Sequence, residues 1–515
     1  MRLEAIEKEW DVVVAGGGVT GAGILRESVR RGLRTLLVER KDFAWGTSSR
    51  SSKLIHGGLR YLKEGNFSLT RESVRERDCL LREAPGLVTP MEFRIPIYKG
   101  RKPGVWAMEI GLTIYDLISG KHTHRYYEKN AYAAIEPLVE MRGLKGGFSF
   151  RDAGVDDARL VLRLISDSER AGGLALNYTR MLRVERNRDG DVCGATLEDV
   201  ESRETVCVRT PLVINATGAW AEALHPSPEK TRHLRPLRGS HLIFPQKSIP
   251  IETAMSFFNP CDGRQLFAVP WEGAVLVGTT DIDHEASLSE EPSAAQAEIA
   301  YLLQGMNAIY PSLKLTSRDA LSSFAGVRPV VGEGRVSADK ESREHVIWKD
   351  RGLVTVTGGK LTTFRVLAKD ALSAARDYLP AHLRTEPSEP MFEALQAAPA
   401  NLPVEIHKRL WGRYGRETSV MLESAPADHL EVIPGTRTLW AELPHAALRE
   451  NIRHLDDLLL RRVRIGLLLP EGGKHQMDQI REICRPALPW SDAVWDREIE
   501  DYLKMWRACY SPCRP

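Results

Sequence analysis

Asp11-Val-Val-Val-Ala-Gly-Gly-Gly-Val-Thr-Gly-Ala-Gly23 decides the fold of this chain. Val12 to Ala15 form a β-branched run without alternation, the pattern of a strand buried on both faces, and it feeds straight into a glycine turn. Helix formers follow from Ala22 to Arg31, Gly32 supplies a C-terminal stop, and Thr35-Leu-Leu-Val-Glu39 reads as a second buried strand. In Gly16-x-Gly18-x-x-Gly21 the first glycine permits a tight turn, the second lets backbone amides approach a pyrophosphate, and the third lets the helix pack on the strand. Glu39 stands 18 residues beyond Gly21, where its carboxylate can accept a ribose hydroxyl. Strand, helix, second strand and acid together predict dinucleotide binding.

Working outward, Asn215-Ala-Thr-Gly218 follows the strand Leu212 to Asn215, and Gly358-Gly359-Lys360-Leu-Thr-Thr363 follows a strand over Leu353 to Val356. Two further close-backbone turns, hundreds of residues from the first, suit an elongated FAD better than NAD. Tyr178 to Glu185 and Val192 to Leu197 read as a β-meander around an Arg-Asp-Gly turn. Residues 230–320 carry β-like runs at His241 to Phe244, Leu266 to Val269 and Ala274 to Gly278, which predict a separate antiparallel sheet. Beyond residue 385 the pattern turns helical, with Ile452, Leu455, Leu459 and Val463 spaced for one helix across Arg449 to Leu469.

Composition bounds the answer. The 515 residues are 43% hydrophobic and 27% charged, which excludes disordered, collagen-like and disulfide-stapled classes. With 71 basic against 69 acidic residues, no global field marks a nucleic-acid binder, so any anion site is local. Seven scattered cysteines without CxxC or Cys/His zinc spacing read as reduced cytosolic thiols, and no metal is expected. The start MRLEAIEKEW lacks an apolar signal core, and no apolar run is long enough to span a bilayer.

The stretch Thr47-Ser-Ser-Arg-Ser-Ser-Lys-Leu-Ile-His-Gly-Gly-Leu-Arg-Tyr-Leu62 resembles the signature of the FAD-dependent glycerol-3-phosphate dehydrogenases. The likeness continues, in order, through Val155 to Leu162, Gly239-Ser-His241, Gly278-Thr-Thr-Asp281, Gly326-Val-Arg-Pro329 and Gly358 to Arg365. It is looser at Leu455 to Arg462 and Gly466 to Gly473, and Arg238 stands where the family more often has Lys. The resemblance implies a glutathione-reductase-like, Rossmann-type FAD domain (residues 1–95, 150–225 and 320–384), an antiparallel-sheet substrate domain (96–149 and 226–319) and a helical C-terminal cap (385–515). It implies oxidation of sn-glycerol 3-phosphate to dihydroxyacetone phosphate with electrons passed to a quinone, and it is compatible with a homodimer. A soluble oxidase using O2, a related amine or 2-hydroxy-acid oxidase, and a non-catalytic dinucleotide-binding protein are the alternatives.

On this reading FAD rests on Gly16, Gly18, Gly21, Glu39, Thr47, Ser48, Ser52, Lys53, Ala216, Thr217, Gly218, Gly359, Lys360, Leu361 and Thr362. A phosphate dianion suits guanidinium forks, and Arg60, Tyr61, Arg328 and Arg343 are the candidates to hold it. Proton removal from the C2 hydroxyl falls to His241, His56 or Lys360, with His241 favoured. Residues 104–118 form an almost wholly apolar helix between Arg101-Lys102 and Lys121, His122 and Arg125. Such a helix either lies on an anionic lipid surface or is buried between domains. With a lipid-soluble quinone as acceptor, the first alternative makes the protein cytoplasmic and peripheral on the inner face of the cell membrane.

Overall fold

The computed structural model describes residues 3, 6–59, 62, 65–225, 233–332, 345–383, 385, 387–399 and 402–513. Strand β1 (Val12–Ala15), helix α1 (Val19–Arg30) and strand β2 (Thr35–Val38) form the expected βαβ unit. All eight strand residues are buried, as the unbroken apolar runs require. Six strands make one sheet in the order 345–350, 353–358, 213–215, β1, β2, 174–176, parallel except for the first pair. Helix α1 packs against the helices Asp157–Arg170 and Phe364–Ala374, and the absent side chain of Gly23 leaves room for Phe364. The turns after β1, after Val213–Asn215 and after Leu353–Gly358 therefore gather at one edge, the carboxyl ends of parallel strands.

A ten-stranded, largely antiparallel sheet forms the second layer, and its strands include Leu54–Ile55, Val88–Tyr98, Leu144–Val155 and Ser322–Gly332. Boundaries drawn at 95 and 150 thus cut through hydrogen-bonded strands, and the one at 320 separates Ser322–Gly332 from its partner strand His233–Pro245. The register running from Val88↔Val155 to Tyr98↔Leu144 binds both sides of the cuts at 95 and 150 into one sheet. The expected meander exists as Thr179–Arg186, Val192–Asp199 and Thr205–Arg209.

Helix α2 (Val105–Ser119) lies where the apolar pattern places it, and it is a surface helix. Met108, Leu112 and Tyr115 point inward, while Trp106, Ile110 and Leu117 are 81%, 59% and 75% exposed. Burial between domains is thereby corrected. The single helix expected over Arg449 to Leu469 is also corrected, because the chain breaks into Glu442–Arg449, a π-helical turn Asp457–Arg462 and Ile465–Leu468. Asn451 and Arg464 adopt φ of +53° and +65°, which no helix interior accommodates. Asp457 accepts the amides of Arg453 and His454, each at 2.9 Å, and restarts the chain. All seven cysteines are free. Among the described residues no helix is long and apolar enough to cross a membrane.

Candidate active site

The three turns enclose one side of a cleft of about 1780 Å³. Gly16 has φ +112°, and a Cβ there would stand 2.5 Å from the Ala216 carbonyl oxygen. Only glycine lets the two turns approach so closely. A Cβ on Gly21 would overlap the Gly16 carbonyl, so Gly21 packs helix on strand without lining the cleft itself. The Glu39 carboxylate accepts the Gly17 amide at 2.7 Å and the Lys41 amide at 2.9 Å. Burial pushes its carboxyl up from the usual range, with those two amides pulling the other way. Each oxygen keeps a second lone pair for a ribose hydroxyl.

Ser48 Oγ accepts the Val19 amide at 2.9 Å, tying the serine-rich segment to the start of α1. Across the cleft, Thr357 Oγ1 donates to the Gly218 carbonyl at 2.9 Å, locking the second turn to the third. Gly16, Gly18, Thr47, Ser48, Ser52, His56, Ala216, Thr217, Gly218, Gly359, Lys360, Leu361 and Thr362 all line the cleft. A long groove walled by backbone from three strand ends, closed to a Cβ at Gly16 and carrying a ribose acceptor, fits an extended dinucleotide.

The far wall is built on the substrate sheet. Arg328 pairs with Asp281 at 2.9 Å and with Thr279 Oγ1 at 3.1 Å, and Arg264 reaches the other Asp281 oxygen at 3.4 Å. One buried carboxylate therefore anchors two guanidiniums, both of which line the cleft. Beneath them Glu298 accepts from Thr280 Oγ1 at 2.6 Å and Ser240 Oγ at 2.8 Å, and it pairs with Arg238 at 2.9 Å.

Two expected positions are corrected. His241 is fully buried and does not line the cleft; its Nε2 stands 2.9 Å from Ser52 Oγ, and its ring stacks on Phe324 at 4.7 Å between centroids. Burial first, then the Arg328 and Lys53 cations, hold its pKa well below the usual imidazole range. Strand pairing turns it inward, one hydrogen bond behind the lining residue Ser52. Lys53 is also buried, 2.8 Å from Asp157, with its pKa lowered to about 8 by burial and Arg464; it holds the fold together rather than a cofactor. His56, Lys360 and Arg328 line the cleft. Arg60, Tyr61 and Arg343 lie outside the described residues.

Sequence reasoning missed Arg264 and the anchoring role of Asp281, which closes the motif Gly278-Thr-Thr-Asp281. It also missed Arg40, whose guanidinium lies 4.8 Å over the Trp220 ring at the Glu39 end of the cleft. Nor did it foresee an apolar arm running beneath α2, lined by Leu59, Phe93, Met108, Gly111, Ile114 and Phe258.

Turn, acid and distributed groove define an FAD-dependent oxidoreductase. Comparison with known proteins agrees: the family described as FAD dependent oxidoreductase matches residues 11–369, and the C-terminal domain of alpha-glycerophosphate oxidase matches residues 365–494. A relative from Mycobacterium bovis, glycerol-3-phosphate dehydrogenase 2, is 34% identical over 96% of this chain and 88% of its own. The aerobic glycerol-3-phosphate dehydrogenase of Staphylococcus saprophyticus is 37% identical over 74% of this chain and 68% of its own. Among solved structures, the glycerol-3-phosphate dehydrogenase of Bacillus halodurans complexed with FAD superposes with TM-score 0.76 at 26% identity, covering 98% of this chain and 96% of that one. The chain belongs to the FAD-dependent glycerol-3-phosphate dehydrogenase family, and FAD is its cofactor.

Proposed function

We propose that the protein oxidises sn-glycerol 3-phosphate to dihydroxyacetone phosphate and passes the electrons to a quinone. The observation that carries this reading is the Arg328–Asp281–Arg264 cluster, which presents two fixed, planar cations to the cleft that also holds the cofactor turns. Planar donors pair two phosphate oxygens at once, and a carboxylate anchor removes the entropy of placing them. FAD, when bound, supplies the acceptor for the hydride leaving C2. The C2 hydroxyl proton goes to His56, the one imidazole lining the cleft among the described residues. Lys360, at the turn Gly358–Gly359, offers the positive charge that offsets the electrons gained by the flavin.

The apolar arm beneath α2 supports the quinone. Ile110 both lines the cleft and reaches solvent, so one helix joins the chemistry to an exposed apolar stripe flanked by Arg101, Lys102, Lys121 and Arg125. On this reading the protein docks on an anionic lipid surface through α2 and draws its acceptor from the bilayer. Anaerobic titration of the holoenzyme with glycerol 3-phosphate should bleach the flavin, and turnover should be faster with ubiquinone or menaquinone analogues than with O2. An unbleached flavin would overturn the substrate. Turnover with O2 equal to that with quinone would move the reading to the oxidase.

A further inference from the structure

We propose that Asp116, His122 and His124 form a binding site for one divalent transition-metal ion, of the Zn2+ class, at the C-terminal end of α2. Gly120, with φ +66°, turns the chain back on the helix, so Lys121 to Arg125 return beside its last turn. Two imidazoles thereby converge on one carboxylate. Nδ1 of His124 lies 2.7 Å from Asp116 Oδ2, Nδ1 of His122 lies 3.2 Å from the same oxygen, and one ligand atom from each residue falls within 4.8 Å of the others. A tetrahedral ion with bonds near 2.1 Å spaces its ligands by roughly 3.4 Å, so a small spreading of the three admits it.

The surroundings are arranged as a metal site requires. Asp116 is fixed by the Thr123 amide and hydroxyl, both at 2.9 Å. His124 has its other nitrogen, Nε2, 3.2 Å from Oε1 of Glu109, which stands fifteen residues earlier, on α2. That carboxylate–imidazole pair orients the ring and leaves Nδ1 for the ion, the arrangement that commonly supports histidine ligands. The neighbouring cations are turned away: Lys121 pairs with Asp78 at 2.8 Å, and the Arg125 guanidinium lies 5.0 Å over Tyr127. Asp116 and His124 are buried, whereas the His122 side chain is 82% exposed, leaving an entry path and room for a water in a fourth position. Two nitrogens and one oxygen favour Zn2+, Ni2+ or Cu2+ over Ca2+ or Mg2+. None of the three residues lines the catalytic cleft. The Cys/His spacing sought in the sequence does not cover this His-x-His pair with an aspartate six residues ahead of its first histidine.

Isothermal titration of the FAD-loaded protein with ZnCl2 tests the site. One saturable ion per chain is expected, with affinity at least about tenfold lower in His122→Ala and about tenfold lower in Glu109→Gln, which removes no ligand but releases the His124 ring. Both substitutions fall at surface positions and spare the packed core. Bound Cu2+ should show nitrogen hyperfine structure in its paramagnetic resonance spectrum, diminished in His122→Ala. Absence of saturable binding would overturn the proposal, and so would binding and spectra that are unchanged in both variants.

Discussion

Ser52 Oγ stands 2.9 Å from His241 Nε2, which puts a fully buried imidazole one hydrogen bond behind the lining of the cleft. Burial first, then Arg328 and Lys53, hold the pKa of that imidazole well below its usual range. Ser52→Ala should lower kcat/KM for glycerol 3-phosphate about fivefold, the value of one neutral hydrogen bond near 1 kcal/mol. The midpoint of the acid limb of the pH profile should stay where it is. His56→Gln should lower kcat well beyond the loss in Ser52→Ala. A midpoint that moves in Ser52→Ala would return the proton to His241.

Gly21→Ala should cost the protein its flavin, because the added methyl overlaps the Gly16 carbonyl and pushes α1 off β1. The ratio of flavin to protein absorbance after purification should fall severalfold. Gly18→Ala meets only Ser48 Oγ, at 3.1 Å, and should retain more cofactor than Gly21→Ala.

Arg328→Ala should reduce kcat/KM by roughly 10- to 150-fold with FAD retained, since a charge-assisted hydrogen bond contributes about 1.5–3 kcal/mol. It also takes one cation from the Asp281 carboxylate, so Arg328→Lys should recover part of the loss. Steady-state kinetics on flavin-replete variants checks both.

Trp106→Glu combined with Ile110→Glu should abolish co-sedimentation with anionic liposomes while leaving flavin content unchanged, because both side chains face solvent on α2. Wild-type binding should weaken with salt. Wild-type protein that ignores such liposomes would remove α2 from any lipid surface.

His454 sits between Glu498 and Glu201, 3.2 Å from each, and the hydrogen bond to Glu498 leads the causes that raise its pKa to about 9. A raised histidine stabilises the fold fully below its unfolded value near 6.5, and that contribution is lost as pH rises through about 9. The Tm advantage of wild type over His454→Gln should therefore be present at about pH 6 and gone by about pH 10.

The βαβ unit was legible because each of its steps is local: β-branched residues, three glycines and an acid at fixed offsets. The substrate sheet was only half legible. Val88–Tyr98 and Leu144–Val155 pair across dozens of residues, and no short-range pattern reports such a register. At the site, lining by Gly16, Glu39, Ser48, Lys360 and Arg328 followed from motifs, whereas the depth of His241 and Lys53 did not. A motif names residues in order, but strand pairing decides which side of a sheet each one faces. The apolar stripe of α2 showed the reverse weakness, since hydrophobicity alone could not tell an outer face from an inner one.

The ties between Asp42 and the paired arginines 461 and 462, one of them 2.8 Å from Arg462 Nη2 to Asp42 Oδ1, span 420 residues of chain. On a ribosome adding 5–20 residues per second, the first strands emerge roughly 20–80 s before those arginines are made. For most of that interval Asp42 has only Asn177, whose amide donates to Oδ1 at 3.0 Å, and neither guanidinium partner yet exists. Synthesis itself therefore imposes an order: the guanidinium pairs of Asp42 can close only after the last quarter of the chain has arrived.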